Sequence, residues 1–231
     1  MKKIPKQTPV RGTTARGRST RPAAVGGHSS ETSRSAIKYV CVYCGSGKGL
    51  NKAYAAAARG LGRELAKAGV GLVYGGGSLG LMGEIARHTL KHGGRVTGII
   101  PGFLSEKEKM LEEVDDLIVV DDMHQRKMMM FERADAFVAL PGGIGTLEEL
   151  VEQLTWSQLG RHHKPIVLAN IDGFWSPFLT LLEHMGDEKF IRTGLVPSFH
   201  VVDDVKEVLP EIMRAREATT TDDVEDVVGR F

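Results

Sequence analysis

Ala136-Phe137-Val138-Ala139-Leu140-Pro141-Gly142-Gly143-Ile144-Gly145-Thr146-Leu147-Glu148-Glu149 decides the fold. Ala136–Leu140 is a short, wholly apolar run, the pattern of a strand buried on both faces. Pro141 and the glycines stop it. The apolar spacing from Leu147 to Leu159 then predicts a helix. The same unit recurs on either side. Upstream, strands are predicted at Ile37–Gly45, Val70–Tyr74, Arg95–Ile100 and Leu117–Val120, with helices at Lys52–Ala68, Leu81–His92 and Met123–Arg133. Downstream come strands at Pro165–Ala169 and Phe199–Val202 and helices at Pro177–Met185 and Val205–Ala215. Short apolar strands alternating with helices require a parallel sheet covered on both faces, and right-handed crossovers make it doubly wound. The expectation is a single α/β domain with a Rossmann-like doubly wound parallel sheet, spanning 36–216.

The two ends differ from this core. Residues 1–35 are rich in Ser, Thr, Gly, Pro and Arg and are expected to form a disordered basic tail. The first 34 residues carry eight Lys/Arg against one acid, Glu31. That composition suits a solvated tail better than a transit peptide, because no amphipathic helical face accompanies it. Residues 217–231 read as a loose C-terminal tail. Over the whole chain the net charge is only +1, which gives no argument for a nucleic-acid partner. No apolar stretch approaches the roughly 20 residues of a membrane span. Cys41 and Cys44 have CxxC spacing, but no second pair or nearby His pair completes a metal site, so inert core thiols in a reducing, cytoplasmic setting are expected. No metal and no cofactor are expected.

Ligands of such sheets bind beyond the carboxyl ends of the strands, where the glycine clusters fall. Gly142-Gly143-Ile144-Gly145-Thr146 lets the backbone approach an anion closely, and the free N–H groups of the next helix point at it. The pattern is neither GxGxxG nor a Walker loop, which disfavours NAD binding and triphosphate hydrolysis. A tight turn without a ligand is the plainer alternative. A second cluster, Gly75-Gly76-Gly77-Ser78-Leu79-Gly80-Leu81-Met82-Gly83, and a third loop, Gly45-Ser46-Gly47, share that edge. Ser46, Gly76, Gly77 and Met82 are candidate pocket residues.

The polar neighbours are ambiguous by spacing. Thr146-Leu147-Glu148-Glu149 fits the capping box, so Glu149 could simply cap its own helix. A helical wheel places Leu147, Leu150, Val151 and Leu154 on one apolar face, Glu148 and Thr155 on its flank, and Glu149 near Gln153 and Trp156. Trp156 and Leu159 form a second apolar patch that suggests a partner subunit or another packed element. Lys127 falls within the Met123/Met130/Phe131 stripe, so it either snorkels to solvent or meets an anion, with Arg126 beside it. His124 is better read as a helix-start residue than as a catalyst.

The second glycine cluster, Met123-His124-Gln125-Arg126-Lys127 and Pro141-Gly142-Gly143-Ile144-Gly145-Thr146-Leu147-Glu148-Glu149 together resemble the LONELY GUY (LOG) family, from about Tyr39 to Ala215. The resemblance implies a cytokinin riboside 5′-monophosphate phosphoribohydrolase, an N-glycosyl hydrolase releasing free base and ribose 5-phosphate. It makes Arg126 and Glu149 the catalytic pair. It makes Glu108, Arg126, Lys127, Gly142, Gly143, Ile144, Gly145, Thr146, Leu147, Glu148 and Thr155 substrate contacts, and the assembly a homodimer. The alternative from a different class is a non-catalytic carrier of a nucleotide-like cofactor, as in molybdenum-cofactor carriers. Lysine decarboxylation, a common label for the family, is disfavoured because no convincing pyridoxal-phosphate lysine site is visible. The base preferred, an N6-prenyl adenine or adenine itself, is not written in these motifs.

Overall fold

The computed structural model describes residues 37–105, 110–191 and 197–228. The expected tail at 1–35 and the candidate Glu108 lie outside them. Among the described residues seven strands make one parallel sheet: β1 (Tyr39–Tyr43), β2 (Gly71–Tyr74), β3 (Val96–Pro101), β4 (Asp116–Val120), β5 (Ala136–Ala139), β6 (Ile166–Ala169) and β7 (His200–Val202). Their order is β4-β3-β2-β1-β5-β6-β7. The chain builds one half outward from β1, then returns to β1 with β5 and builds the other half. This is the doubly wound arrangement expected, and its switch point lies between β1 and β5.

The helices are α1 (Lys52–Lys67), α2 (Gly80–Lys91), α3 (Gly102–Ser105), α4 (Met123–Arg133), α5 (Ile144–Gln158), α6 (Ser176–Asp187) and α7 (Val208–Val228). Three differ from expectation. The single-turn α3 is too short to show apolar periodicity. Helix α5 starts at Ile144 rather than Leu147, because extended Gly143 serves as its N-cap. Helix α7 runs to Val228, past Ala215 and through much of the expected tail, since no Gly or Pro interrupts the sequence until Gly229.

Alternation along β1 divides the core into two layers. Val40 and Val42 face Leu61, Leu65, Ile85 and Ile212 beneath α1, α2 and α7. Cys41 and Tyr43 face Met130, Leu150, Leu154 and Trp175 beneath α4, α5 and α6. Cys44 belongs to the first layer and Cys41 to the second, and both are free and buried. The CxxC spacing therefore places the thiols on opposite faces of the sheet, as expected of core residues. Burial pushes both thiols far above the ordinary cysteine range.

Helices α1 and α2 touch backbone to backbone at Gly62. A Cβ there would lie 2.6 Å from the Ile85 carbonyl oxygen and 3.0 Å from the Thr89 amide nitrogen. Neither atom can move without disturbing α2. Gly62→Ala should therefore destabilise the fold by about 1–3 kcal/mol, measured as a lower midpoint of urea unfolding. Gly186→Ala, at a helical position with open space around it, should cause no loss in the same measurement.

Candidate active site

Three loops meet at the β1/β5 switch point. The Gly45 amide donates to the Pro141 carbonyl at 3.1 Å, and the Leu81 amide donates to the Gly45 carbonyl at 2.9 Å. A Cβ on Gly45 would lie 3.3 Å from Gly142 Cα. The loop after β1, the start of α2 and the glycine turn after β5 are thus strapped together by backbone contacts, which explains the glycines at their crossing. Beside them lies a cavity of about 340 Å³, lined by the Gly143–Thr146 turn and by Tyr43, Ser46, Gly75, Met82, Arg126 and Glu149 among others.

The start of α5 forms one wall of this cavity. Gly143 supplies no side-chain cap, so the first-turn N–H groups have no intrahelical partner. Thr146 is buried, with its hydroxyl packed over Gly142, where any Cβ would collide with it. Because the helix begins at Ile144, Thr146 is already inside its first turn, and the capping box suggested by Thr-x-x-Glu does not form. Glu149 is released from a capping role.

Instead Glu149 meets Arg126. Nη2 of Arg126 lies 3.2 Å from Oε1 of Glu149, and both side chains are largely buried. Asp122 caps α4 by accepting from the Gln125 amide at 2.9 Å, which fixes the first turn that carries Arg126. The Arg126 Nε donates to the Ile99 carbonyl at 3.3 Å. Gly75, the first residue beyond β2, leaves the space the guanidinium occupies, since a Cβ there would overlap Nη2. Burial raises the Glu149 carboxyl to about 7, against the lowering pull of Arg126. A carboxyl group so placed is suited to proton exchange near neutrality, beside the uncapped start of α5.

Lys127 finds its anions within the protein. Its Nζ lies 2.6 Å from Glu148 Oε1 and 2.9 Å from Glu152 Oε1. Burial alone would lower its pKa, but the hydrogen bonds from Glu148 and Glu152 outweigh it and hold the ammonium above the ordinary lysine value. Of the sequence candidates, the structure brings together Arg126, Glu149, Gly143, Ile144, Gly145, Thr146, Ser46 and Met82 around the cavity. Gly142 lines instead a neighbouring cavity of about 320 Å³, with Tyr54, Leu81 and Phe174, and Ser46 and Gly143 line both.

Other candidates fall outside it. Leu147 packs into the second core layer, and Glu148 and Lys127 pair with each other beside the cavity. Thr155 is exposed two turns further along α5, with its hydroxyl donating to the Val151 carbonyl at 2.8 Å. Gly76 and Gly77 do not line it either. Gly76 turns away at φ +79° towards Ile100, and Gly77 bridges to Met110, so the pocket glycine of that cluster is Gly75.

Tyr43, Met130 and Leu104 line the cavity without having been singled out. Tyr43 and Met130 read as ordinary core residues, and α3, which carries Leu104, gave no pattern. The helical wheel also misplaced Val151, which is 41% exposed, while Gln153 is fully buried. The buried face of α5 is turned towards α4, where charged side chains pair. Among the described residues no group of three or more His, Cys, Asp or Glu side chains is placed to hold a metal ion.

Comparisons with known proteins agree with this geometry. The family model described as "Possible lysine decarboxylase" matches residues 82–212. The chain is 52% identical over 159 residues to "Cytokinin riboside 5′-monophosphate phosphoribohydrolase LOG" of Oryza sativa subsp. japonica, a match covering 68% of this chain and 65% of the rice protein. To the Arabidopsis thaliana enzymes of that name, LOG7 and LOG5, it is 49% and 43% identical, covering 70% and 79% of this chain and 74% and 80% of theirs. The chain thus spans just under two thirds of the rice relative and more of the other two. Among solved structures, the molybdenum cofactor carrier protein of Chlamydomonas reinhardtii superposes with a TM-score of 0.57 at 25% identity, covering 78% of this chain and 98% of the carrier. With 49% and 43% identity to relatives matched over 74% and 80% of their length, the chain belongs to the LOG family.

Proposed function

We propose that this chain is a nucleoside 5′-monophosphate phosphoribohydrolase that cleaves the N-glycosidic bond of cytokinin riboside monophosphates, AMP or both, releasing free base and ribose 5-phosphate. The observation that carries this is the buried Arg126–Glu149 pair lining the same cavity as the uncapped start of α5. The names of its relatives specify the same chemistry on cytokinin riboside 5′-monophosphates.

The chemistry follows from the parts. Breaking a ribosyl–base bond develops positive charge at the anomeric carbon. The Glu149 carboxylate offsets that charge and orients or deprotonates the attacking water. The Arg126 guanidinium positions the substrate and assists departure of the base. The Gly143–Thr146 amides hold the 5′-phosphate, and this remote binding energy supports the chemical step. Separation of Arg126 from Glu149 on substrate entry frees both groups for these tasks. Lys127, through Glu148 and Glu152, serves by fixing α4 against α5, and Lys127 and Glu148 become substrate contacts only if substrate breaks that pairing.

Two further features belong to the same proposal. A homodimer is supported by exposed apolar residues on and just beyond α5, Val151 and Leu159, near Trp156. A cytoplasmic setting is supported by the two free thiols, and no helix among the described residues is long and apolar enough to cross a membrane. A cofactor carrier of the same fold needs a pocket but no charge pair of this kind, so Arg126–Glu149 favours the hydrolase. A decarboxylase would need a lysine in the cavity, and none is among its described lining residues.

Arg126→Ala and Glu149→Gln should each reduce adenine release from AMP by at least about a hundredfold, of the order expected for losing a charged transition-state contact, with unchanged circular dichroism. Near-normal turnover by either variant removes it from the catalytic pair. Adenosine should be hydrolysed far more slowly than AMP, and equal rates would show that the helix start holds no phosphate. Because the carboxylate form of Glu149 is required, and that form grows as pH rises through about 7, kcat should climb between pH 5.5 and 8. A flat profile over that range would show that ionisation of Glu149 does not govern turnover.

A further inference from the structure

Helix α5 carries a polar side chain that the chemistry above leaves unused. Gln153 is fully buried, yet neither its Nε2 nor its Oε1 has a hydrogen-bonding partner among the described residues. A primary amide removed from water without compensation is destabilising, and an apolar residue of the same size would avoid that cost. Gln153 stands one helical turn from Glu149, on the same buried side of the helix, and side chains spaced i and i+4 lie within hydrogen-bonding reach.

Behind it sits His162, packed between the rings of Phe131 and Phe137 at 5.3 and 5.6 Å. The His162 Nδ1 accepts from the Lys164 amide at 3.1 Å, so a neutral ring carries its proton on Nε2, which is buried beside the Gln153 backbone. Burial lowers the His162 pKa to about 4, so the ring is neutral at physiological pH. Gln153 and His162 form an uncharged polar patch beneath the carboxylate.

We propose that Gln153 is a positioning residue for Glu149: when Arg126 turns to substrate, the Gln153 amide nitrogen donates to the Glu149 carboxylate and holds it towards the cavity. This rests on the hydrolase function proposed above. Arg126 occupies Oε1 of Glu149. Once that contact opens, a buried carboxylate needs a replacement donor. The titratable and charged groups around Glu149 are Arg126 and Lys127 from α4, Cys41, Tyr43 and Cys44 from β1 and its end, and Glu148 and Glu152 from α5 itself. Lys127 is committed to Glu148 and Glu152. The thiols and the phenol stay protonated because burial raises them. Gln153 is a neutral donor with nothing else to bind.

Gln153→Met keeps the side-chain volume and removes the amide, and Gln153→Leu provides a second apolar variant. Both should fold, with a melting temperature equal to or above that of the parent, since an unsatisfied amide is lost. The acid limb of kcat for AMP hydrolysis should move up by about one pH unit, as expected when a carboxylate loses a hydrogen-bond donor. At pH 6 this is about a tenfold fall in kcat with KM within about twofold. Gln153→Asn, which restores an amide on a shorter stem, should recover part of the shift. An unmoved acid limb in a folded Met or Leu variant of an active parent overturns the role of Gln153. An inactive parent overturns the hydrolase function instead.

Discussion

An ion pair taken out of water sets the terms for the half of the molecule around the candidate site. Arg126 and Glu149 sit on neighbouring helices and are both largely buried. Desolvating two charges costs several kcal/mol per ion unless geometry and additional hydrogen bonds compensate. The surrounding parts supply that compensation. The Ile99 carbonyl accepts from the guanidinium, Gly75 vacates the space it fills, and Asp122 fixes the start of its helix. Beside it Lys127 binds two carboxylates of α5, a second clamp between the same helices. These charge pairs act together with the apolar contact of Met130 and Phe131 on α4 with Leu150, Leu154 and Trp156 on α5, and the face so packed buries Glu149 and Gln153 while Val151 is exposed.

The layering of the core separates this site from the bulk of the stability. Beneath α1, α2 and α7 lies an apolar layer that includes Leu61, Leu65, Ile85 and Ile212. The layer under α4, α5 and α6 holds the polar site and is interrupted by it. Strand β1 runs between them, giving alternate residues to each. Its Tyr43 and Val42 both reach the cavity, one from each layer, while Val40 anchors the layer beneath α1, α2 and α7.

The strand pattern was legible because buried parallel strands are short apolar runs ended by glycine or proline, and each predicted strand overlaps one in the sheet. The glycine turn and the Arg126/Glu149 pair were legible as motifs. Spacing could not decide what Glu149 does, because a capping glutamate and a catalytic one occupy the same position. The capping role is removed by where α5 begins, with extended Gly143 as its N-cap and Thr146 already inside the first turn. The partners of Lys127 were hidden for a related reason: an anion was required, but only the packing of α4 on α5 shows that the protein provides it. Gln153 looked like a surface residue, since a wheel drawn from apolar positions assigns a glutamine to solvent. The second glycine cluster was assigned one residue too late, because Gly75, rather than Gly76 or Gly77, lies where β2 opens onto the cavity.

The uncapped start of α5 has a consequence for the order of events. Most helices quench their first N–H groups with a serine, threonine or aspartate of their own, and this one leaves Gly143 in that place. Both the nucleotide and the sugar phosphate left after cleavage carry the anion that these groups attract, while the free base carries none. On the proposed chemistry the base departs first and the sugar phosphate lingers. The same grip that orients the substrate then delays the next turnover, and free inorganic phosphate competes for the same seat.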